Sequence, residues 1–195
     1  MSEQAIHWEA GGTSRVPFAV YTDEDRHKKE LERFFYKNHW SYVEAEIPNP
    51  GDFKRTVVGE RSVIMTRSQD GRIHVVENVC AHRGMQFCRE RHGNKKELVC
   101  PYHQWSYALD GKLQGVPFRR GVRQDGKVNG GMPADFDPKD HGLTSLKVAT
   151  RAGVVFASFD HNVESLEDYM GSTILKYFDR MFNGRKLKVL GYNRQ

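Results

Sequence analysis

Two short segments hold the densest metal-ligand chemistry of this chain: Cys80-Ala81-His82 and Cys100-Pro101-Tyr102-His103. Each supplies one thiolate and one imidazole, and 17 residues separate His82 from Cys100. Two cysteines and two histidines suit two kinds of site. One is a [2Fe–2S] cluster in which two Cys hold one iron and two His the other. The second is a tetrahedral zinc ion. Zinc fingers usually pair Cys with Cys and His with His along the chain, whereas here each segment carries one of each. Two hairpin tips approaching a rhombic cluster from opposite sides would divide such mixed pairs between two irons. The cluster is therefore the expected cofactor, with a zinc-stapled interaction module as the rival. A centre ligated in this way moves one electron at a time, at a potential above that of an all-thiolate cluster.

The elements that must position these residues are short. Ile73 to Asn78 is predicted as a strand leading into the first tip, and Leu98-Val99 leads into the second. Gly84 lets backbone approach a cofactor closely, and Pro101 stiffens the second tip by fixing φ. Gly115-Val116-Pro117 is a candidate third loop over the site. Upstream, Thr22 to Asn38 reads as a helix capped by Thr22 or Asp23, with Leu31, Phe34 and Phe35 on one face. From Ser41 onward, short β-runs are broken by Pro48-Asn49-Pro50-Gly51 and Gly59-Glu60, with turn signals at Gln69-Asp70-Gly71-Arg72 and Asp110-Gly111. Arg119 to Pro138 reads as a long loop, either a subunit contact or a surface excursion. Leu146 to Arg151 and Val154 to Phe159 form a closing hairpin through Ala152-Gly153. Glu164 to Phe182 is helical with a break at Gly171, and Lys186 to Gln195 starts a further strand. The pattern predicts a mainly β fold: an antiparallel β-sandwich with flanking N- and C-terminal helices. The boundaries are an arm and helix over residues 1–40, a core over 41–160 and a C-terminal helix with the start of a further domain over 161–195.

At 195 residues the chain fits one domain with extensions. Hydrophobic content is 38% and mean hydropathy is −0.70. No apolar run approaches the roughly 18 residues of a membrane helix, and Met1 to His7 lacks a basic-then-apolar leader. A cytoplasmic protein is expected. Of three cysteines, the two in the motif leave Cys88 as a packing residue, which argues for a reducing compartment and against a disulfide scaffold. Net charge is +5, and between Arg83 and Lys127 ten Lys/Arg oppose four acids. That window is either a solvated surface or a face that steers an acidic electron donor. Its basic residues lack interleaved aromatics, which argues against nucleic acid.

The stretch from Glu77 to Gly84, together with Cys100 to Tyr107, resembles the large subunits of bacterial Rieske-type aromatic-ring-hydroxylating oxygenases. Val16-Pro17-Phe18, Gly130-Gly131-Met132-Pro133 and Val154 to Phe159 resemble them too. Gln114 to Val122 points to the subgroup acting on monocyclic aromatic carboxylates such as salicylate, terephthalate and anthranilate. The resemblance covers essentially the whole chain but only the first half of such a subunit. It implies a cluster-binding subdomain at about residues 78–118, with Cys80, His82, Cys100 and His103 as ligands and Arg83, Gly84, Tyr102 and Trp105 around them. Respiratory Rieske proteins carry two extra Cys and a Ser near the cluster, and the matching positions here are Met85, Tyr102 and Trp105. Fewer hydrogen bonds to sulfur then place the potential near the low end of the range, roughly −150 mV. Trp105 is expected as a packing wall and Tyr107 as a donor to a Cys sulfur. The implied activity passes electrons from an NAD(P)H reductase or ferredoxin chain to a mononuclear iron held by two His and a carboxylate. That iron activates O₂ for hydroxylation. His7, His27, His39, His74, His92, His141 and His161 do not form such a motif, so no catalytic residue is expected in this stretch. The implied partners are a ferredoxin and/or flavin reductase, a small (beta) subunit and other large subunits, without membrane or nucleic acid. The alternative is a freestanding Rieske-type ferredoxin, in which the helix at Thr22–Asn38 and the segment after Phe159 would have no job.

Overall fold

The computed structural model describes residues 16–37, 39–43 and 47–182. His7, Asn38 and the strand predicted for Lys186–Gln195 lie outside the described residues. The first elements are α1 (Ala19–Thr22) and α2 (Glu24–Glu30). Asp23 separates them with extended φ/ψ and caps α2, its carboxylate accepting from the Arg26 N–H at 2.9 Å. Glu24 and Asp25 in the first turn complement the helix dipole. α2 then widens into a single π-type turn, Leu31–Phe35. The predicted helix thus exists in two pieces with a widened end. A π-turn adds a residue per turn and rotates side chains off the 3.6-residue face. Leu31 is therefore buried while Phe34 and Phe35 stay exposed.

Next come β1 (Ser41–Val43), β2 (Asp52–Val58), β3 (Arg61–Arg67), β4 (Ile73–Glu77) and β5 (His92–Asn94). The last four form an antiparallel sheet of order β4-β3-β2-β5. Strand β3 is buried on both faces. Its period-2 alternation sends Val63 and Met65 to one side and Ile64 to the other. In β4, Val75 and Val76 divide in the same way. This sheet is thus a wall shared by two cores, and the candidate site lies on the Ile64 side.

That side is closed by a three-stranded sheet, β6 (Leu98–Val99), β7 (Ser106–Tyr107) and β8 (Leu113–Gly115). Its core holds Phe53, Ile64, Val76, Phe87, Leu98, Trp105 and Tyr107 together with all three cysteines. Burying each such large side chain contributes about 1.5–3 kcal/mol. The loop predicted after Arg119 contains a hairpin, β9 (Val122–Gln124) and β10 (Lys127–Asn129). Asp125 and Gly126 both adopt positive φ, 50° and 76°. Two consecutive left-handed residues match the twist of a two-residue hairpin turn, and Asp-Gly is the dipeptide that favours it.

The opposite side is closed by β11 (Lys147–Arg151) and β12 (Val154–Ser158), joined through Ala152-Gly153, with β1 on the far edge of β12. Ile47, Val58, Val63, Met65, Val75, Leu146, Val155 and Ala157 fill the space between the two sheets, which is the predicted sandwich. α3 (Leu166–Phe182) breaks at Gly171, where φ is 68°. Its Met170, Phe178 and Phe182 pack on Trp40, Val154, Phe156 and Val163. Arg151 holds it through Asp179 at 2.6 Å.

Candidate metal centre

Two loop tips carry the Cys/His segments, and both close in the same way. In the first, the Cys80 N–H donates to Met85 O at 2.9 Å and the Gly84 N–H to Cys80 O at 2.8 Å. In the second, the Cys100 N–H donates to Trp105 O at 2.9 Å and the Gln104 N–H to Cys100 O at 2.9 Å. The fourth residue after each cysteine is left-handed, Gly84 at φ 67° and Gln104 at φ 57°. Below the second tip lies a regular ladder pairing Leu98 with Tyr107 and Val99 with Ser106. The first tip has no such ladder. The hairpin expected there is replaced by one side chain, because β5 pairs with β2 rather than with β4. The Asn78 amide donates to Cys88 O at 2.9 Å and accepts from the Cys88 N–H at 2.9 Å, the two bonds a strand partner would make. It also donates to Ser62 Oγ at 3.2 Å, and its backbone N–H donates to Ser62 O at 2.9 Å. Asn78 is fully buried.

Closure brings like donors together although they alternate in sequence. Cys80 and Cys100 are both buried in one core, and Cys80 helps hold the Cys100 thiol protonated. The His82 and His103 rings meet edge-to-face with centroids 4.5 Å apart. Among the described residues no three His, Cys, Asp or Glu side chains gather closely enough to share one metal ion. A sulfur pair beside an imidazole pair instead suits two irons bridged by sulfides. Among the described residues three buried side-chain polar atoms lack a hydrogen-bond partner: Arg26 Nε, Arg55 Nε and His82 Nδ1. Buried polar atoms are nearly always partnered, so the Nδ1 lone pair fits a ligand to metal.

The electrostatics agree with that fit. Burial, then the charges of His103 and Arg83, hold the His82 pKa below its ordinary value and favour the neutral, ligating imidazole. Burial pushes the Cys100 thiol up, while backbone N–H groups of Tyr102 and His103 aimed at its sulfur pull it down. In the metal-free chain that thiol keeps its proton, which metal binding would displace. Tyr107 Oη lies 3.2 Å from Cys80 Sγ and accepts the Ala81 N–H at 3.1 Å. With its oxygen so engaged, the phenol O–H is free to donate to sulfur. Burial and Cys80 raise the Tyr107 pKa, so the proton stays in place.

Residues 39–125 match the family model described as the Rieske [2Fe-2S] domain. The chain carries a Rieske domain. Over 190 residues it is 73% identical to "Salicylate 5-hydroxylase, large oxygenase component" of Ralstonia sp, covering 96% of this chain and 45% of that protein. It is 46% identical to "Anthranilate 1,2-dioxygenase large subunit" of Burkholderia cepacia, over 97% of this chain and 44% of that subunit. The chain therefore spans somewhat under half the length of these relatives. The crystal structure of naphthalene 1,2-dioxygenase from Rhodococcus sp. superposes with a TM-score of 0.73 at 34% identity, covering 85% of this chain and 36% of that one.

Within the Rieske domain the other predicted residues take distinct places. Trp105 is 3% exposed and stacks on His82, centroids 4.7 Å apart and planes within 10°. Tyr102 is 60% exposed and lies against His103 at 3.9 Å. Arg83 is exposed, its charge acting on His82. Gly84 serves its left-handed φ, since a Cβ there would meet no protein atom within 4 Å. Val116, from the predicted third loop, packs against the core that contains Cys80 and Cys100. Cys88 is a buried packing residue whose thiol donates to Glu90 O at 3.6 Å. Sequence reasoning missed Asn78, whose signal was an amide placed two residues before Cys80. No helix among the described residues is long and apolar enough to cross a membrane.

Proposed function

We propose that Cys80, His82, Cys100 and His103 hold a Rieske [2Fe–2S] cluster, and that this chain is the electron-entry part of an aromatic-ring-hydroxylating oxygenase large subunit. The observation that carries this reading is the convergence of two matching tips, which sets the His82 ring against the His103 ring and buries Cys80 and Cys100 in one core. When bound, the cluster takes up and passes on single electrons. The chain's own residues prepare the place. Cys80 and Cys100 would supply the sulfur ligands, and His82 and His103 the imidazoles. Tyr107 aims its hydroxyl at the Cys80 sulfur, and the Tyr102 and His103 N–H groups favour the Cys100 thiolate. Trp105 fixes the His82 ring plane.

The division into an N-terminal arm and helix (1–40), a Rieske domain (41–160) and a C-terminal helix opening a catalytic domain (161–195) follows from the same reading. The mononuclear iron belongs to the part of the relatives that this chain does not span. The substrate class proposed is an aromatic carboxylate such as salicylate, supported by the name of the 73% identical relative. The relatives are named as large subunits or components. This supports assembly with small and further large subunits, and a reductase or ferredoxin as donor, more than a freestanding carrier. Three free cysteines support a reducing cytoplasm. The ten Lys/Arg between Arg83 and Lys127 support docking of an acidic donor.

The test is an iron and sulfide assay with EPR on the dithionite-reduced protein, purified anaerobically. Two irons and two sulfides per chain, with the low average g of mixed His/Cys ligation, are expected. Stoichiometric zinc without a signal would overturn the cofactor and the electron-transfer role together.

A further inference from the structure

The stretch after Arg119 ends against the candidate centre rather than in solvent. Trp105 lies flat on His82, and Phe136 meets Trp105 edge-to-face at 5.9 Å with planes at 77°. His141 completes the wall, 4.4 Å from Phe136 and 6.1 Å from Trp105. Arg119 also holds Phe136. Its Nη2 donates to Phe136 O at 3.2 Å, and its guanidinium lies 5.5 Å from the ring centroid. The chain can return here because it is pinched at two glycines. A Cβ on Gly131, at φ 100°, would stand 2.8 Å from Gly121 N, and the Met132 N–H donates to Arg119 O at 2.9 Å. The β9–β10 hairpin is thus tied off at its base, and the chain beyond it delivers Phe136 to Trp105.

We infer that Phe136, gripped by Arg119 and flanked by His141, is a positioning residue for the His82 ring and seals that side of the centre against water. This rests on His82 being a cluster ligand. A histidine side chain has two soft torsions, and an aromatic plate on its face restricts both. The plate holds its plane only if something packs against it, and Phe136 and His141 are rings in contact with Trp105. His82 Nδ1 is itself buried. One-electron reduction adds a negative charge to the centre. Water admitted beside His82 favours the more charged state, so the seal holds the reduction potential down.

The experiment uses the 195-residue chain with its cluster assembled. It compares Phe136→Ala, Phe136→Tyr and, as a control in a separate core, Phe156→Leu. Phe136→Ala should keep two irons and two sulfides, shift the midpoint potential to more positive values and change the g-values of the reduced state. Phe136→Tyr, which retains the ring, should restore both. Phe156→Leu should lower the melting temperature without moving either readout. Unchanged potential and g-values in Phe136→Ala, or equal shifts in the control, would overturn the inference. Should Phe136→Ala fail to assemble, Phe136→Leu is judged by the same two readouts. A wild-type chain that assembles no cluster would instead refute the ligand assignment.

Discussion

The two tips of the candidate centre solve one problem with different materials. Each must hold a cysteine so that its thiol, and a histidine close behind it, face the other tip. Both do so with a backbone loop closed by bonds from residue i to i+5 and from i+4 back to i. Beneath that loop they diverge. The second tip stands on a β-ladder, whereas the first stands on the Asn78 side chain. They also differ in shelter, since His82 lies under the buried Trp105 and His103 under the exposed Tyr102. What the tips share is the closure of the loop, and this is what ligand placement requires. A two-bond side-chain clamp can replace a strand pair as the foundation.

The largest expected effect erases the comparison. Cys100→Ala removes one thiolate and should abolish the cluster. Hydrogen exchange should then accelerate in both tips, while amides of β3 and β12 in the sandwich keep their protection. An intact mixed-ligand signal in this variant would sink the assignment of Cys100. Asn78→Ala comes next and separates the tips. It leaves the buried Cys88 N–H and C=O without partners, at a cost of about 2–4 kcal/mol. Amides from Val79 to Phe87 should lose protection well before those around Cys100. Equal loss in both tips would show that the clamp supports the whole lobe and not the first tip alone.

The four proposed ligands stood out in the sequence because their residue types and spacing permit few chemistries, and the fold brings their two tips together. The strands were legible because β-rich runs and Gly-marked turns are local. What escaped was non-local or depended on geometry without a pattern. Nothing near His92 announces that its strand pairs with Asp52–Lys54 rather than closing the first tip. Phe34 and Phe35 fit a helical face by spacing, but the π-turn rotates that face away. Asp125-Gly126 was a hairpin signal overlooked because the surrounding segment is so rich in glycine, proline and charge. Phe136 reaches Trp105 only through the pinch at Gly121 and Gly131, a contact across 31 positions that periodicity cannot show.

A smaller effect sharpens the sulfur side of the comparison. Cys100 receives backbone N–H donors from its own tip, whereas Cys80 borrows a phenol from β7 of the other. Tyr107→Phe removes that donor and leaves the part-buried Ala81 N–H without its acceptor. A stability loss of about 0.5–1.5 kcal/mol follows. Hydrogen bonds to sulfur stabilise the reduced, more negative state, so the midpoint potential should fall. A potential titration that finds no change, or a rise, would mean that the phenol does not donate to Cys80 in the loaded protein.

The smallest effect makes the second tip a closer copy of the first. Gly84 and Gln104 occupy equivalent left-handed positions, but only glycine does so without a Cβ penalty. That penalty is roughly 1–2 kcal/mol for an ordinary residue, and glycine's greater freedom in the unfolded chain returns about 0.5–1 kcal/mol of it. The Gln104 side chain is exposed, so little contact energy opposes the exchange. Gln104→Gly should therefore stabilise the lobe by about 0.5–1 kcal/mol, read as a rise in the denaturation midpoint at unchanged m-value. A lower midpoint would show that the glutamine side chain does something at this tip that glycine at the other never had to do.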